Sequence, residues 1–178
     1  MKKFLSLVLC FMMMASLTAC GLEDAPEKEV SNQTGESTNE QKTESSKDTF
    51  ALNETAVFSD LKFTATEITE SKGDDFFTPD DGNVFVGVKF TIENISSESQ
   101  NVSSLLLFDG YVDDVKCDFS FNASCVFDEG TLDGEIAAGK KLIGWYSLEV
   151  PENWQKIDLE VQSSWLSNSS ATFVFENN

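Results

Sequence analysis

The stretch Asn83-Val-Phe-Val-Gly-Val-Lys-Phe-Thr-Ile-Glu-Asn94 decides the fold. Val84, Val86, Val88, Phe90 and Ile92 fall on one side of a period-two pattern. Gly87, Lys89, Thr91 and Glu93 fall on the other, which only Phe85 interrupts. This alternation predicts a strand with one face in a core and the other mostly facing water. Its β-branched and aromatic content suits a pleated surface.

Working outward, 55–58 and 61–71 read as the preceding strands. Leu61, Phe63 and Ala65 alternate with Lys62, Thr64 and Thr66, while Ile68 sits out of phase and predicts a bulge or face switch. Residues 72–82, Lys-Gly-Asp-Asp-Phe-Phe-Thr-Pro-Asp-Asp-Gly, form a breaker-rich loop into the central strand. After it come a polar connection at 94–101, an apolar strand at 102–108 and a turn at Asp109-Gly110. From 111 to 127, Val115, Cys117, Phe119, Phe121, Ala123, Cys125 and Phe127 share one parity, with Asp113-Asp114 resembling a hairpin turn that lacks the usual Gly. A short segment at 132–136, a turn at Ala138-Gly139-Lys140 and a strong strand at 142–150 stopped by Pro151 follow. Clean alternation at 157–161 and 171–175 completes about eight or nine strands. No stretch carries a helical stripe, though 152–155 could form one turn. Short strands with polar turns predict an all-β, antiparallel β-sandwich.

The chain has 178 residues and a net charge of −19, with no His. Lacking His, it can run neither Ser-His-Asp nor Cys-His chemistry, and it offers no His-ligated metal site. The acidity excludes nucleic acid as a partner and excludes a basic patch on anionic lipid. A hydrolase using carboxylates alone would need a defined acid pair, and none stands out. The sequence therefore predicts no enzyme and no cofactor.

Membrane attachment has another source. Lys2-Lys3 precedes an uncharged apolar run at 4–17, which ends in Leu17-Thr18-Ala19-Cys20-Gly21. Charge, length and small residues fit a secretory signal peptide over 1–19 that is removed, leaving Cys20 as the lipidated first residue of the mature chain. Burial of acyl chains at ~0.8 kcal/mol per CH₂ makes two chains a durable anchor on the extracytoplasmic face of the cell membrane. Residues 21–48 follow without an aromatic residue, with eight acids against three lysines. Such a segment cannot bury enough surface to offset its ordering entropy and is expected to be a disordered acidic tether. It would span roughly 30 Å. Residues 49–178 hold 13 of the 15 Phe, both Tyr and all three Trp, enough for one core.

Taken together, Pro79-Asp-Asp-Gly-Asn-Val-Phe-Val-Gly-Val-Lys-Phe-Thr-Ile-Glu-Asn94 and Ile136-Ala-Ala-Gly-Lys-Lys-Leu-Ile-Gly-Trp-Tyr-Ser-Leu-Glu-Val-Pro151 resemble a family. It is an immunoglobulin-like family of unknown function found on lipoproteins of Gram-positive bacteria, similar in fold to telokin and to a small secreted mycobacterial antigen. The shared features are a Gly-Asn entering a strand that ends in Glu-Asn, and an apolar-Gly-Lys turn before a Gly-Trp strand closed by Glu-Val-Pro. The resemblance implies an immunoglobulin-like sandwich and carries over no catalytic or binding residues.

Three groups of residues remain as candidates. Cys117 and Cys125 are an even pair outside the cytoplasm, which suggests a disulfide. On one straight strand, however, they would lie roughly 26 Å apart, so a bond requires the chain to reverse near Asn122-Ala123. Two buried free thiols are the alternative. Asp74, Asp75, Asp80 and Asp81 crowd one loop, and Asp128, Glu129 and Asp133 another. Oxygen clusters suit Ca²⁺, but neither stretch has a calcium-loop register, and solvated turn acids are the plainer reading. Phe76-Phe77, set among those acids, is either a binding tip or a plug over one end of the sandwich. Trp145, Trp154 and Trp165 read as packing residues. The expected function is a lipid-anchored, non-catalytic binding module for an unknown protein or small ligand. The alternatives are a structural envelope protein and a weak Ca²⁺-binding surface domain.

Overall fold

The computed structural model describes residues 27–28, 49–164, 166 and 169–177. The signal segment 1–19, Cys20, Trp165 and all of the tether except Glu27 and Lys28 lie outside the described residues.

Asn83–Asn94 forms a single unbroken strand, β5, once the earlier strands are counted as β1 (Glu27–Lys28), β2 (Thr49–Phe50), β3 (Thr55–Val57) and β4 (Leu61–Ser71). The chain continues through β6 (Gln100–Val102), β7 (Phe108–Val112), β8 (Val115–Cys117) and a one-turn helix α1 (Phe121–Ser124). It ends with β9 (Gly134–Ile136), β10 (Lys141–Pro151), β11 (Lys156–Gln162) and β12 (Ser170–Glu176). One sheet runs β1-β3-β4-β5-β10, the other β2-β12-β11-β7-β8, and β6 and β9 pair separately. Val102 and Ile136 carry that small ribbon into the common core.

The protein is an all-β sandwich, as the alternation implies. β5 pairs with β4 from Leu61↔Asn94 to Ser71↔Phe85 and with β10 from Lys141↔Glu93 to Pro151↔Asn83. Its inner row, Val84 to Ile92, is fully buried. Across the interior, Phe108 of β7 meets Phe90 edge-on at 5.3 Å and Phe63 at 6.0 Å, and stacks on Tyr146 at 5.1 Å. Phe90 also meets Phe173 of β12 at 5.1 Å. Each such ring pair contributes about 0.5–1.5 kcal/mol beyond area burial.

The bulge foreshadowed by Ile68 is present. Register with β5 shifts between Ala65 and Glu67, so that Ile68 opposes Val88 and Glu70 opposes Val86. The inward positions thus change from odd to even. Glu70 then accepts a hydrogen bond at 2.7 Å from Nε1 of buried Trp154. Asp113 and Asp114 make the hairpin turn with φ of 49° and 66°, both in the left-handed region. Asp113 succeeds there without Gly because its carboxylate accepts from the backbone N–H groups of Gln155 and Lys156.

Four expectations need correction. Asp109-Gly110 is no turn; it lies inside β7, where a Cβ at Gly110 would stand 2.7 Å from the Cys117 carbonyl oxygen. The residue is Gly because strands approach closely, which in sequence looks like a turn. The apolar run 102–108 is not one strand either. Leu106 and Leu107 both donate backbone N–H to the Ser103 carbonyl, turning the chain and leaving Leu105 and Leu106 exposed.

Third, the alternation from 111 to 127 stops being a strand at Cys117. Ser120 caps α1 by accepting from the Ala123 N–H at 3.2 Å, and the chain crosses to the outer face of the first sheet. Phe119, Ala123 and Phe127, four residues apart, are the ones that pack, while Phe121 and Cys125 point to solvent. One parity thus covered two sides of β10: Phe119 meets Tyr146 on the core side, and Phe127 stacks on Trp145 on the outer side. Fourth, the outer face of β5 is not all in water: Phe85 and Gly87 are buried, and a Cβ on Gly87 would meet the Phe127 ring at 2.9 Å. Within the tether, Glu27 and Lys28 form β1 by pairing with Val57 and Ala56.

The crossing segment also shields the edge strand β10. Ser120 N–H donates to the Ser147 carbonyl at 2.8 Å, and Trp145 N–H donates to the Gly130 carbonyl at 2.9 Å. Gly144 permits that approach, because its Cβ would fall 2.7 Å from the Thr131 carbonyl oxygen and 3.0 Å from that of Gly130. Gly144→Ala should therefore destabilise the fold by about 1–3 kcal/mol in urea unfolding. Gly87→Ala should cost less, since it displaces only the Phe127 ring.

Candidate binding loop

The loop at 72–82 leaves β4 through Ser71, whose hydroxyl accepts from the Gly73 N–H at 3.0 Å. Gly73 has φ of +85°, and a Cβ there would sit 2.0 Å from the Phe77 carbonyl oxygen. No other residue type fits. Asp74 N–H donates to that carbonyl at 2.8 Å, while its carboxylate accepts from Phe77 N–H at 2.7 Å and Phe76 N–H at 2.8 Å. These bonds, that of Phe77 first, hold the Asp74 carboxyl below the usual carboxylate range.

At the other end, Glu149 on β10 accepts from Asp80 N–H at 2.8 Å and from the Asn83 side-chain amide at 3.1 Å. Glu152 N–H donates to the Gly82 carbonyl at 2.9 Å, and its carboxylate pairs with Lys72. A loop anchored at both ends thus presents Phe76 at 89% exposure, with Phe77 half-buried beside it. The plug reading fails for Phe76. The structure brings Asp74, Phe76 and Phe77 together, whereas Asp75, Asp80 and Asp81 are exposed around them. Asp74 is occupied by its own loop's amides, and among the described residues no group of three or more ligating side chains converges on a metal position.

The second acidic group is spent on structure. Glu129 pairs with Lys89 at 2.7 Å and accepts from Trp145 Nε1 at 3.1 Å. The bond from Lys89 holds its carboxyl below the usual range. Lys89 also lies 5.2 Å from the centre of the Trp145 ring, whose neighbour Phe127 stacks at 5.2 Å. Burial raises the Asp133 pKa, but bonds from Thr131, Ser104 and Ser103 outweigh it and leave the carboxyl low. Trp145 and Trp154 are buried packing residues.

Cys117 and Cys125 are free thiols, so the disulfide does not form. Cys117 packs against the core and lies 3.5 Å from the Glu149 carbonyl oxygen. Cys125 belongs to the segment on the outer face of the first sheet, where it is exposed. The chain does reverse between them, but it carries the thiols to opposite sides of β10. The buried-thiol alternative holds for Cys117 in part and fails for Cys125. Sequence reading missed the exposed Leu105-Leu106 pair; Ser103 and Ser104 just before it were the only signal.

An all-β sandwich with a braced acidic loop is the class that fold and site define. The chain belongs to a domain family of unknown function, DUF4352, whose model matches residues 50–171. Three solved structures share the fold. A "putative lipoprotein" (ycdA) of Bacillus subtilis is 16% identical with a TM-score of 0.55, over 66% of this chain and 36% of that one. A conserved hypothetical protein of Bacillus anthracis is 17% identical with a TM-score of 0.52, covering 69% and 94%. An uncharacterized β-sandwich protein of Clostridium difficile is 15% identical with a TM-score of 0.51, covering 79% and 100%. The chain thus spans about a third of the B. subtilis protein and nearly all of the other two. No curated protein matches.

Thiol accessibility separates the two cysteines. Burial, then the charges of Asp118 and Glu149, push the Cys117 thiol up. In the native protein Cys125 should react with a thiol reagent promptly and Cys117 slowly, both becoming reactive in denaturant without reductant. Peptide mapping of the alkylated sites measures this, and a link between the two that blocks alkylation in denaturant until reductant is added would contradict the geometry.

Proposed function

We propose that the protein is a lipid-anchored, extracytoplasmic binding module without catalytic activity, an immunoglobulin-like domain of the Gram-positive lipoprotein type. The observation that carries the binding role is Phe76, 89% exposed on a loop braced from both sides by Asp74 and Glu149. A ring held rigidly in the open is a ready anchor, because rigid aromatic anchors dominate binding energy at interfaces. Bracing removes most of the loop-ordering entropy that binding would otherwise cost. The surrounding acids favour a partner that is basic at the rim and apolar at its centre. The signal run, the Leu17-Thr18-Ala19-Cys20 sequence and the fold similarity to a "putative lipoprotein" support the anchor.

Both parts are testable in cells. Cys20→Ala should release the protein from membranes or block its processing; normal mature mass in the membrane fraction would contradict the anchor. Full-length protein cross-linked on the cell surface should capture a partner that Phe76→Ala loses. Phe76 touches no core group, so the variant should unfold at the wild-type urea midpoint. Equal capture by Phe76→Ala would remove the loop from the account.

A further inference from the structure

A second open surface lies at the edge of the sandwich, away from the loop. It is a groove of about 570 Å³ whose apolar lining includes Phe50, Leu52, Ile68 and Phe175. The charged residues that line it are Glu54 and Glu176, both acidic. No residue of 72–82 contributes to it.

The groove exists because strand pairing stops on both of its sides. β2 pairs with β12 only at Thr172 and Phe173, and among the described residues no strand continues along 174–176 on that side. β3 pairs with β4 only at 62–64; past the bulge, 67–71 has β5 on one side and, among the described residues, no strand on the other. A strand edge presents alternate N–H and C=O groups outward. Here two edges flank an apolar trough that takes side chains from every second residue of an extended segment.

Charge narrows the occupant. Glu54 and Glu176 are the acids of the groove, since Glu67 is paired with Lys89 and Glu70 accepts from Trp154. Lys156, opposite Glu176 on β11, is held by Asp158 at 2.9 Å and Asp114 at 3.3 Å. The chain's own segment 29–48 carries five acids and two lysines, so it would bring like charge against like. A second copy of this edge would do the same. We propose that the groove is a strand-addition site for an extended segment of another protein, apolar at alternate positions and carrying Lys or Arg between them. The backbone edge supplies the pairing, the trough takes the apolar residues, and Glu176 at the rim takes a cation.

A capped six-residue peptide of alternating Lys and Val tests this on the full chain, with binding by calorimetry and amide exchange by mass spectrometry. The expected result is saturable binding with slowed exchange confined to 67–71 and 174–176. A central Pro in the peptide should weaken binding by about tenfold or more, since it removes a pairing N–H. Ile68→Lys and, as a surface variant that leaves the core intact, Glu176→Lys should each weaken it about tenfold. Phe76→Ala should bind the peptide as the wild type does, which separates this site from the loop. Absence of saturable binding, equal binding of the Pro peptide, or slowed exchange elsewhere than at these edges would overturn the proposal.

Discussion

β5 is paired with β4 from Phe85 to Asn94 on one side and with β10 from Asn83 to Glu93 on the other, and its inner row is sealed from water by the second sheet. Those two facts constrain each other. A twelve-residue strand paired on both sides cannot slip by one position without turning Val84, Val86, Val88, Phe90 and Ile92 outward. The core locks the register, and the register places the loops. The Phe76 loop enters β5 at Asn83, and its brace, Glu149, stands opposite Phe85 in the same ladder. The groove likewise begins where the β4–β5 ladder passes its bulge.

The protein's acidity has two uses. Some carboxylates are joints: Asp74 ties the loop to itself, Glu149 ties it to β10, Glu129 holds Lys89 and Trp145, and Asp133 holds the 103–107 turn. Others, such as Asp75, Asp80 and Asp81, remain exposed and set the field around the loop. Joint carboxylates cost little because they accept backbone or indole N–H groups that would otherwise need water. The exposed ones disfavour association of like with like and select basic partners.

Long paired strands were legible because one buried face imposes alternation, strictly in β11 and β12 and over part of the length of β4 and β5. The bulge was legible for the same reason, since Ile68 breaks the pattern where the register shifts. What failed was chemistry with two meanings. Gly110 looked like a turn because close packing and tight turning both select Gly. Phe119, Ala123 and Phe127 looked like a strand because every residue between Val115 and Phe127 with their parity is apolar or Cys, whether buried or not. At the loop, composition marked Phe76-Phe77 but could not say which ring was covered. That depended on Asp74 bonding to both amides, a contact local in sequence but decided by geometry.

β5 should be the last element of the fold to let go. Native-state amide exchange across the domain tests that directly. Backbone amides within Asn83–Asn94 should be the slowest in the protein, exchanging only through global unfolding, with those of β10 close behind. Exchange in β5 faster than in the β11–β12 pair would contradict it, because the second sheet would then be the scaffold and β5 an addition to it.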